Sequence, residues 1–277
     1  MTLRVGLIQT RTPASQAAAM AHVAPLVREA AAQGARFIAT PEGTNILQRD
    51  KALLGPQLVR LEDDVVVRGL CDLAVELGVT ILIGSALVKR EDGKAANRAA
   101  LITPTGEIIA TYDKLHMFDV DLPTGETARE SEAYEPGLRA VTAGLGELKL
   151  GLTICYDVRF PALYSALALA GAEVIVTPAA FTRPTGEAHW EILLRARAIE
   201  TGSFVLAPAQ GGFHEDGRGT WGRTLAIGPW GEVLGKLDHD EPGVLIADLD
   251  LAAVAKARAA IPALANARAF EAPISLS

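Results

Sequence analysis

Cysteine is scarce in this 277-residue chain, which carries only Cys71 and Cys155. Two thiols exclude a disulfide scaffold. The five histidines (His22, His116, His189, His214 and His239) are scattered without the spacing of a zinc site. No run of about 18 apolar residues occurs, so no transmembrane helix is expected. The opening MTLRVGLIQT alternates like a strand and lacks the apolar stretch of a signal peptide. Glycine signatures of P-loop or dinucleotide-binding folds are also missing, so neither a cofactor nor a metal is expected. Basic residues are in deficit, 26 against 33 acidic, for a net charge of −7. That balance argues against nucleic acid or an anionic membrane as partner, because phosphate surfaces demand a basic face. The cytoplasm is the default compartment. What is present, 49% hydrophobic and 21% charged residues, describes an ordinary soluble globule. Its length allows one large domain or two small ones.

Short apolar segments alternate with longer helical ones, which predicts an α/β fold. Strands are expected at Leu3–Ile8, Arg36–Thr40, Thr80–Val88, Leu148–Ile154, Glu173–Thr177 and Ser203–Pro208. Helices are expected at Ser15–Gln33 (kinked or restarted at Pro25), Asp63–Leu77, Phe160–Ala170, His189–Thr201 and Leu251–Ala260. Arg98–Thr103 with Glu107–Tyr112, and Arg223–Ile227 with Glu232–Leu237, read as hairpins, and Val244–Asp248 as one more strand.

The two halves resemble each other. FIATPE (Phe37–Glu42) parallels VIVTPA (Val174–Ala179). EDGK (Glu91–Lys94), Arg98 and TPTGEIIATYDK (Thr103–Lys114) parallel EDGR (Glu215–Arg218), Arg223 and GPWGEVLGKLDH (Gly228–His239). Repetition of one unit predicts a single pseudo-symmetric domain with two packed sheets. Residues 1–250 would form it, and 251–277 a C-terminal helix and tail that could dock on a partner subunit.

Reactive groups in α/β folds collect beyond the carboxyl ends of strands. Three candidates sit there: Glu42 after FIATP, Lys114 after EIIATYD, and Cys155 after LKLGLTI. Singly, each has a plain structural explanation as a cap, an edge charge or a small buried hydrophobe. Together they supply a base, a cation and a sulfur nucleophile. Cys71, inside the helical GLCDLAVEL, reads as core filling.

PEGTN (Pro41–Asn45), DKLHMFDV (Asp113–Val120), GLTICYDVRFP (Gly151–Pro161) and TPAAF (Thr177–Phe181) resemble the nitrilase superfamily of carbon–nitrogen hydrolases. GEAHWEILLRARAIET (Gly186–Thr201) and PWGEVL (Pro229–Leu234) are similar to its ω-amidase and deaminated-glutathione amidase branch. The resemblance implies a four-layer α-β-β-α sandwich and a homo-oligomer of two or more subunits. It implies an amidase working through a cysteine thioester, with Glu42 as general base, Lys114 as oxyanion partner and Cys155 as nucleophile. A second glutamate of the family falls on Glu130 in ESEAYEPG, with Glu132 the alternative. Tyr156 is expected to lend its backbone N–H to the oxyanion. Arg159 is expected either to pair with Asp157 at the elbow or to meet a substrate carboxylate, and Phe181 and Thr182 to line the pocket. N-carbamoyl amino acid hydrolysis, nitrile hydrolysis, or a catalytically inactive binding protein of the same fold are the competing functions. The chain departs from the branch at Gly222-Arg223-Thr224 and in the C-terminal IPALANARAF, positions outside the Glu–Lys–Cys set.

Overall fold

The computed structural model describes residues 2–122, 125, 127–146 and 148–275. The chain begins with β1 (Thr2–Gln9), α1 (Gln16–Ala32), β2 (Phe37–Ala39), α2 (Lys51–Leu54), α3 (Val65–Leu77), β3 (Thr80–Lys89), β4 (Ala95–Ile102) and β5 (Ile108–Asp113). A short ribbon follows, β6 (Asp119–Asp121) paired with β7 (Thr127–Arg129). The second half runs β8 (Val141–Leu145), β9 (Leu148–Leu152), α4 (Pro161–Leu169), β10 (Val174–Val176), α5 (Arg183–Thr201) and β11 (Phe204–Ala207). A second ribbon, β12 (Gly211–Phe213) with β13 (Gly219–Trp221), precedes β14 (Leu225–Ile227) and β15 (Val233–Lys236). β16 (Gly243–Asp250), α6 (Ala252–Ala260) and α7 (Ala263–Asn266) end the chain.

Two six-stranded sheets result, in the orders β16-β1-β2-β3-β4-β5 and β15-β14-β11-β10-β9-β8. In each, three central strands are parallel and both flanks antiparallel. The orders superpose element for element, so the repeat in the sequence is a repeat in the fold. Ladder positions agree as well: Ala100, Leu101 and Ile102 on β4 match Leu225, Ala226 and Ile227 on β14, which sets Arg98 on β4 opposite Arg223, two residues before β14.

Apolar alternation explains the layers. Ile38, Ile81, Ala100 and Ile102 face α1 and α3, whose Val23, Val27, Val67 and Leu70 complete an outer core. Phe37, Leu82 and Leu101 face Leu150, Val176 and Leu206 across the sandwich, a core that continues to Tyr164 on α4 and Leu194 on α5. This is the expected α-β-β-α sandwich.

Some boundaries differ from expectation. α1 runs unbroken through Pro25, whose missing N–H costs one intrahelical bond while Ala19, Val23, Val27 and Ala30 stay buried around it. α5 starts at Arg183, ahead of His189: Pro184 suits a first helical turn, and Thr182 stands at the N-cap with extended backbone. The ribbons β6–β7 and β12–β13 were not anticipated, being three residues per strand. α6 docks through Arg258, which donates to the carbonyls of Ala172 and Thr201 and to Ser203 Oγ. Beyond it Ile261, Phe270 and Ile274 are exposed. No helix among the described residues is long and apolar enough to cross a membrane.

Candidate active site

Four strand ends and two ribbons meet at a cavity of about 370 Å³, with Glu42, Asn97, Lys114, Glu130 and Cys155 among its lining residues. Glu42 follows β2 in a turn stitched by polar side chains. Thr44 Oγ1 donates to Pro41 O (2.7 Å), and the Gly43 N–H donates to Ser85 Oγ (2.9 Å). Gln210 Nε2, from the other half, donates to Glu42 O (2.9 Å). Gly84 on β3 lies so close to this turn that a Cβ there would stand 1.9 Å from Thr40 O and 2.5 Å from Pro178 Cβ.

Lys114 follows β5, its N–H bonded to Asn97 O (3.0 Å). Its buried ammonium reaches Glu42 Oε1 at 3.0 Å and Glu130 Oε1 and Oε2 at 2.9 and 2.8 Å. Glu130 stands just after β7, where the Phe118 N–H donates to its Oε2 (2.7 Å). The structure thus brings Glu130 onto Lys114 and turns Glu132 outward onto Lys51, at 2.8 Å.

Cys155 opens a 3₁₀ turn, Cys155–Arg159, with φ of 51°. A non-glycine residue in this left-handed region is strained. Asp157, fully buried, secures the elbow: it accepts the Ile154 N–H (2.8 Å), Tyr112 Oη–H (2.6 Å) and a contact from His116 Nδ1 (2.6 Å). The His116 ring in turn stacks on Phe160 with centroids 3.5 Å apart. The first N–H groups of a helical turn lack intrahelical acceptors. That of Cys155 goes to Pro178 O (2.8 Å), which leaves the Tyr156 N–H as the neighbouring donor.

Electrostatics follow from burial and charge. Burial pushes the Cys155 thiol well up, the Glu42 carboxylate beside it adds to this, and Lys114 opposes. Burial would also raise Glu42, but the Lys114 charge and hydrogen bonds from Cys155, Lys114 and Asn97 hold it below the usual carboxylate range. Lys114 is raised well above an ordinary lysine: Glu130 and Glu42 together outweigh its burial. At neutral pH the floor is therefore a protonated thiol hydrogen-bonded to an ionised Glu42.

A match to the family described as carbon-nitrogen hydrolase covers residues 4–259. The chain belongs to that family. A deaminated glutathione amidase of Synechocystis sp. is 40% identical to it over 252 residues, 86% of this chain and 88% of that protein. An omega-amidase of Homo sapiens is 32% identical over 96% of this chain and 95% of its own. Among solved structures, the C. elegans NitFhit protein has a TM-score of 0.89 at 28% identity, covering 96% of this chain and 65% of that one. An amidase from Nesterenkonia sp. AN1, with acrylamide added at its active-site cysteine, has a TM-score of 0.77 at 26% identity, covering 94% of this chain and 98% of that one. As a member, the chain is a hydrolase of carbon–nitrogen bonds.

Within this hydrolase the other expected site residues divide. Tyr156, Phe181 and Thr182 line the cavity. Arg159 stands outside its wall, with its guanidinium carbon 5.3 Å from the Phe181 ring centroid and its Nη atoms 3.3 Å from His189 Nδ1. It makes no ion pair with Asp157, whose oxygens are taken by Tyr112, His116 and the Ile154 N–H. Sequence reasoning passed over Asn97, whose Nδ2 reaches both Glu42 Oε1 (2.8 Å) and Glu130 Oε1 (3.3 Å). Its signal was present: a lone amide in register with Ala99 and Leu101, on the strand face turned to the inter-sheet core. Ala180 was also missed, because its contribution is a backbone N–H donated to Glu42 Oε2 (2.8 Å).

Proposed function

We propose that this carbon–nitrogen hydrolase is an amidase that cleaves a small carboxamide, an ω-amide of a dicarboxylic or deaminated-glutathione-like acid, through a Cys155 thioester. The observation that carries this is the buried Glu42–Lys114–Glu130 cluster hydrogen-bonded against a protonated thiol at the floor of one cavity. Glu42 takes the thiol proton as Sγ attacks the amide carbon. Lys114 Nζ and the Tyr156 N–H stabilise the resulting oxyanion, and loss of one such donor costs about 10²–10³ in turnover. Glu42 then gives the proton to the departing nitrogen, the C–N bond breaks, and the acyl group stays on Sγ. Water deprotonated by Glu42 attacks the thioester and releases acid and free thiol. Glu130 holds Lys114 in place throughout. Phe181 and Thr182 line the acyl side of the cavity, with Arg159 stacked on Phe181 from outside it.

Release of ammonia or amine across a panel of ω-amides, N-carbamoyl amino acids and nitriles tests this reading, with Cys155→Ala as blank. Turnover of ω-amides above the other classes, trapped as a Cys155 acyl adduct in mass spectra, is the expected result. Release by Cys155→Ala at the parent rate would sink the mechanism.

We further place the enzyme in the cytoplasm, where free thiols persist, and propose that it forms a homo-oligomer. Supporting this, Ile192 and Ile199 on α5 and neighbouring Trp230 are exposed apolar side chains, and the tail after Ile261 has little of its own chain to cover it. Residues 1–250 then form the hydrolase domain, with 251–277 reaching toward the partner. Sedimentation should give a dimer or larger, and truncation after Ala260 should lower the mass or weaken the association.

A further inference from the structure

A second cavity, of about 210 Å³, opens between α5, β13 and the β14–β15 hairpin, and it shares no lining residue with the first. Thr220 and Trp221 are successive residues of β13, yet Thr220 lines the active-site cavity and Trp221 lines this one. Glu187, Trp190, Arg223 and Lys236 also line it. Arg223 stands where the sequence leaves the pattern of its branch. Glycines apart, it and Cys155 are the two described residues with left-handed backbone, here with φ of 58°. Such a conformation costs free energy and persists only where its surroundings hold it. At Arg223 they do: its N–H donates to His239 O (3.3 Å), and Trp190 Nε1 donates to its carbonyl (3.0 Å). The guanidinium lies over Trp221, with its carbon 4.6 Å from the ring centroid.

Charge around this cavity is paired except at two points. Lys236 Nζ is shared by Glu191 (3.2 Å) and Asp238 (3.3 Å). Arg223 makes no ion pair among the described residues, and Asp240, whose carboxyl it helps to hold down, is bonded to Arg183 at 2.5 Å. Glu187, exposed on α5, has no basic partner among the described residues either. One free guanidinium and one free carboxylate therefore come from different walls of one small cavity, beside the apolar Trp190, Trp221 and Leu225. A ligand that answers both must carry opposite charges close together on a partly apolar body. It must also be small, because pockets for drug-sized molecules run to roughly 300–1,000 Å³. We propose that this cavity binds one free α-amino acid with an apolar side chain, its carboxylate on Arg223 and its ammonium on Glu187. A guanidinium fork matches a carboxylate in shape and charge, and the Trp221 face holds that fork in place. Neither charge takes part in the hydrolysis, so the site stands whatever amide the enzyme cleaves.

L-leucine is the probe. Its controls are 4-methylpentanoate, which lacks the ammonium, and 3-methylbutylamine, which lacks the carboxylate. Calorimetry should show one leucine bound per chain and each control bound about tenfold or more weaker, because each leaves one charge unanswered. Arg223→Gln and Glu187→Gln should each weaken leucine binding about tenfold or more, with circular dichroism unchanged. Glu187 is exposed, so its variant decides the matter should Arg223→Gln not fold. Alkylation of Cys155, which lines the first cavity, should leave the leucine affinity as it was. Absence of binding at millimolar leucine overturns the proposal, as does parent affinity in either folded variant or equal affinity for leucine and a control. Loss of leucine binding on alkylation also overturns it, by placing the ligand in the active-site cavity.

Discussion

One lysine answers two carboxylates at the cavity floor, and Asn97 is the neutral group touching both. Replacing it tests how the cluster sets its protonation. Asn97→Asp adds a third negative charge and removes a donor to Glu42, so the Glu42 pKa rises and the acid limb of the kcat/KM profile moves to higher pH. In the parent that limb should lie below the ordinary glutamate value of about 4.3, because Glu42 is held down. Glu42→Gln should lose about 10²–10⁴ in turnover with the fold retained. The Cys155 backbone gives a stability test: at φ of 51°, Cys155→Gly should be more stable than Cys155→Ala by about 1 kcal/mol in urea unfolding. Burial pulls His214 down to about 4. It stays neutral in the fold while the unfolded chain protonates near pH 6.5, so its contribution is complete above that pH and is lost as pH falls toward 4. Between pH 7.5 and pH 5 the loss should be about 2 kcal/mol in the urea-derived stability, and His214→Gln should flatten it. Glu42, Lys114 and Cys155 were legible because each ends a strand. Asn97 was not, because an amide inside a strand carries no mark of function until its neighbours are known.

Strands were easier to read than the pieces between them. An apolar run such as Leu148–Ile154 announces a strand buried on both faces, and Pro-Thr-Gly announces a hairpin. The three-residue strands β6, β7, β12 and β13 offer no comparable pattern, yet they carry Glu130 to Lys114 and Arg218 to the cavity wall. That is why the sequence left Glu130 and Glu132 as alternatives. Close approach between elements was equally invisible. β3 crosses the ends of β2 and β10 at Gly84, where a methyl group would meet Thr40 O, Pro41 O and Pro178 Cβ. Gly84→Ala should therefore displace the Glu42 turn, costing about 1–3 kcal/mol of stability. Its activity loss should exceed that of an Ala substitution at a glycine with open space around it, such as Gly55, measured in parallel on the same amide.

For the whole molecule, duplication has a chemical consequence. Val5 and Leu150 hold the same ladder place beside Phe37 and Val174, so Thr10 matches Cys155 and Ala179 matches Glu42. The hairpin registers likewise match His239 with Lys114. The pseudo-twofold relation thus generates the address of a second reaction centre, with hydroxyl, methyl and imidazole where the first has thiol, carboxylate and ammonium. Side chains fill that address: Thr10 Oγ1 donates to Gln210 Oε1 (2.9 Å), Gln210 Nε2 to Thr12 Oγ1 (2.7 Å), and Gln9 Nε2 to His239 O (3.0 Å). Gln210 also reaches across to the Glu42 carbonyl, so the plugged address braces the working one. In stoichiometric terms, a duplicated fold has become a single-turnover-site machine. An excess of acylating substrate under acid quench should load one equivalent per chain, however many chains assemble.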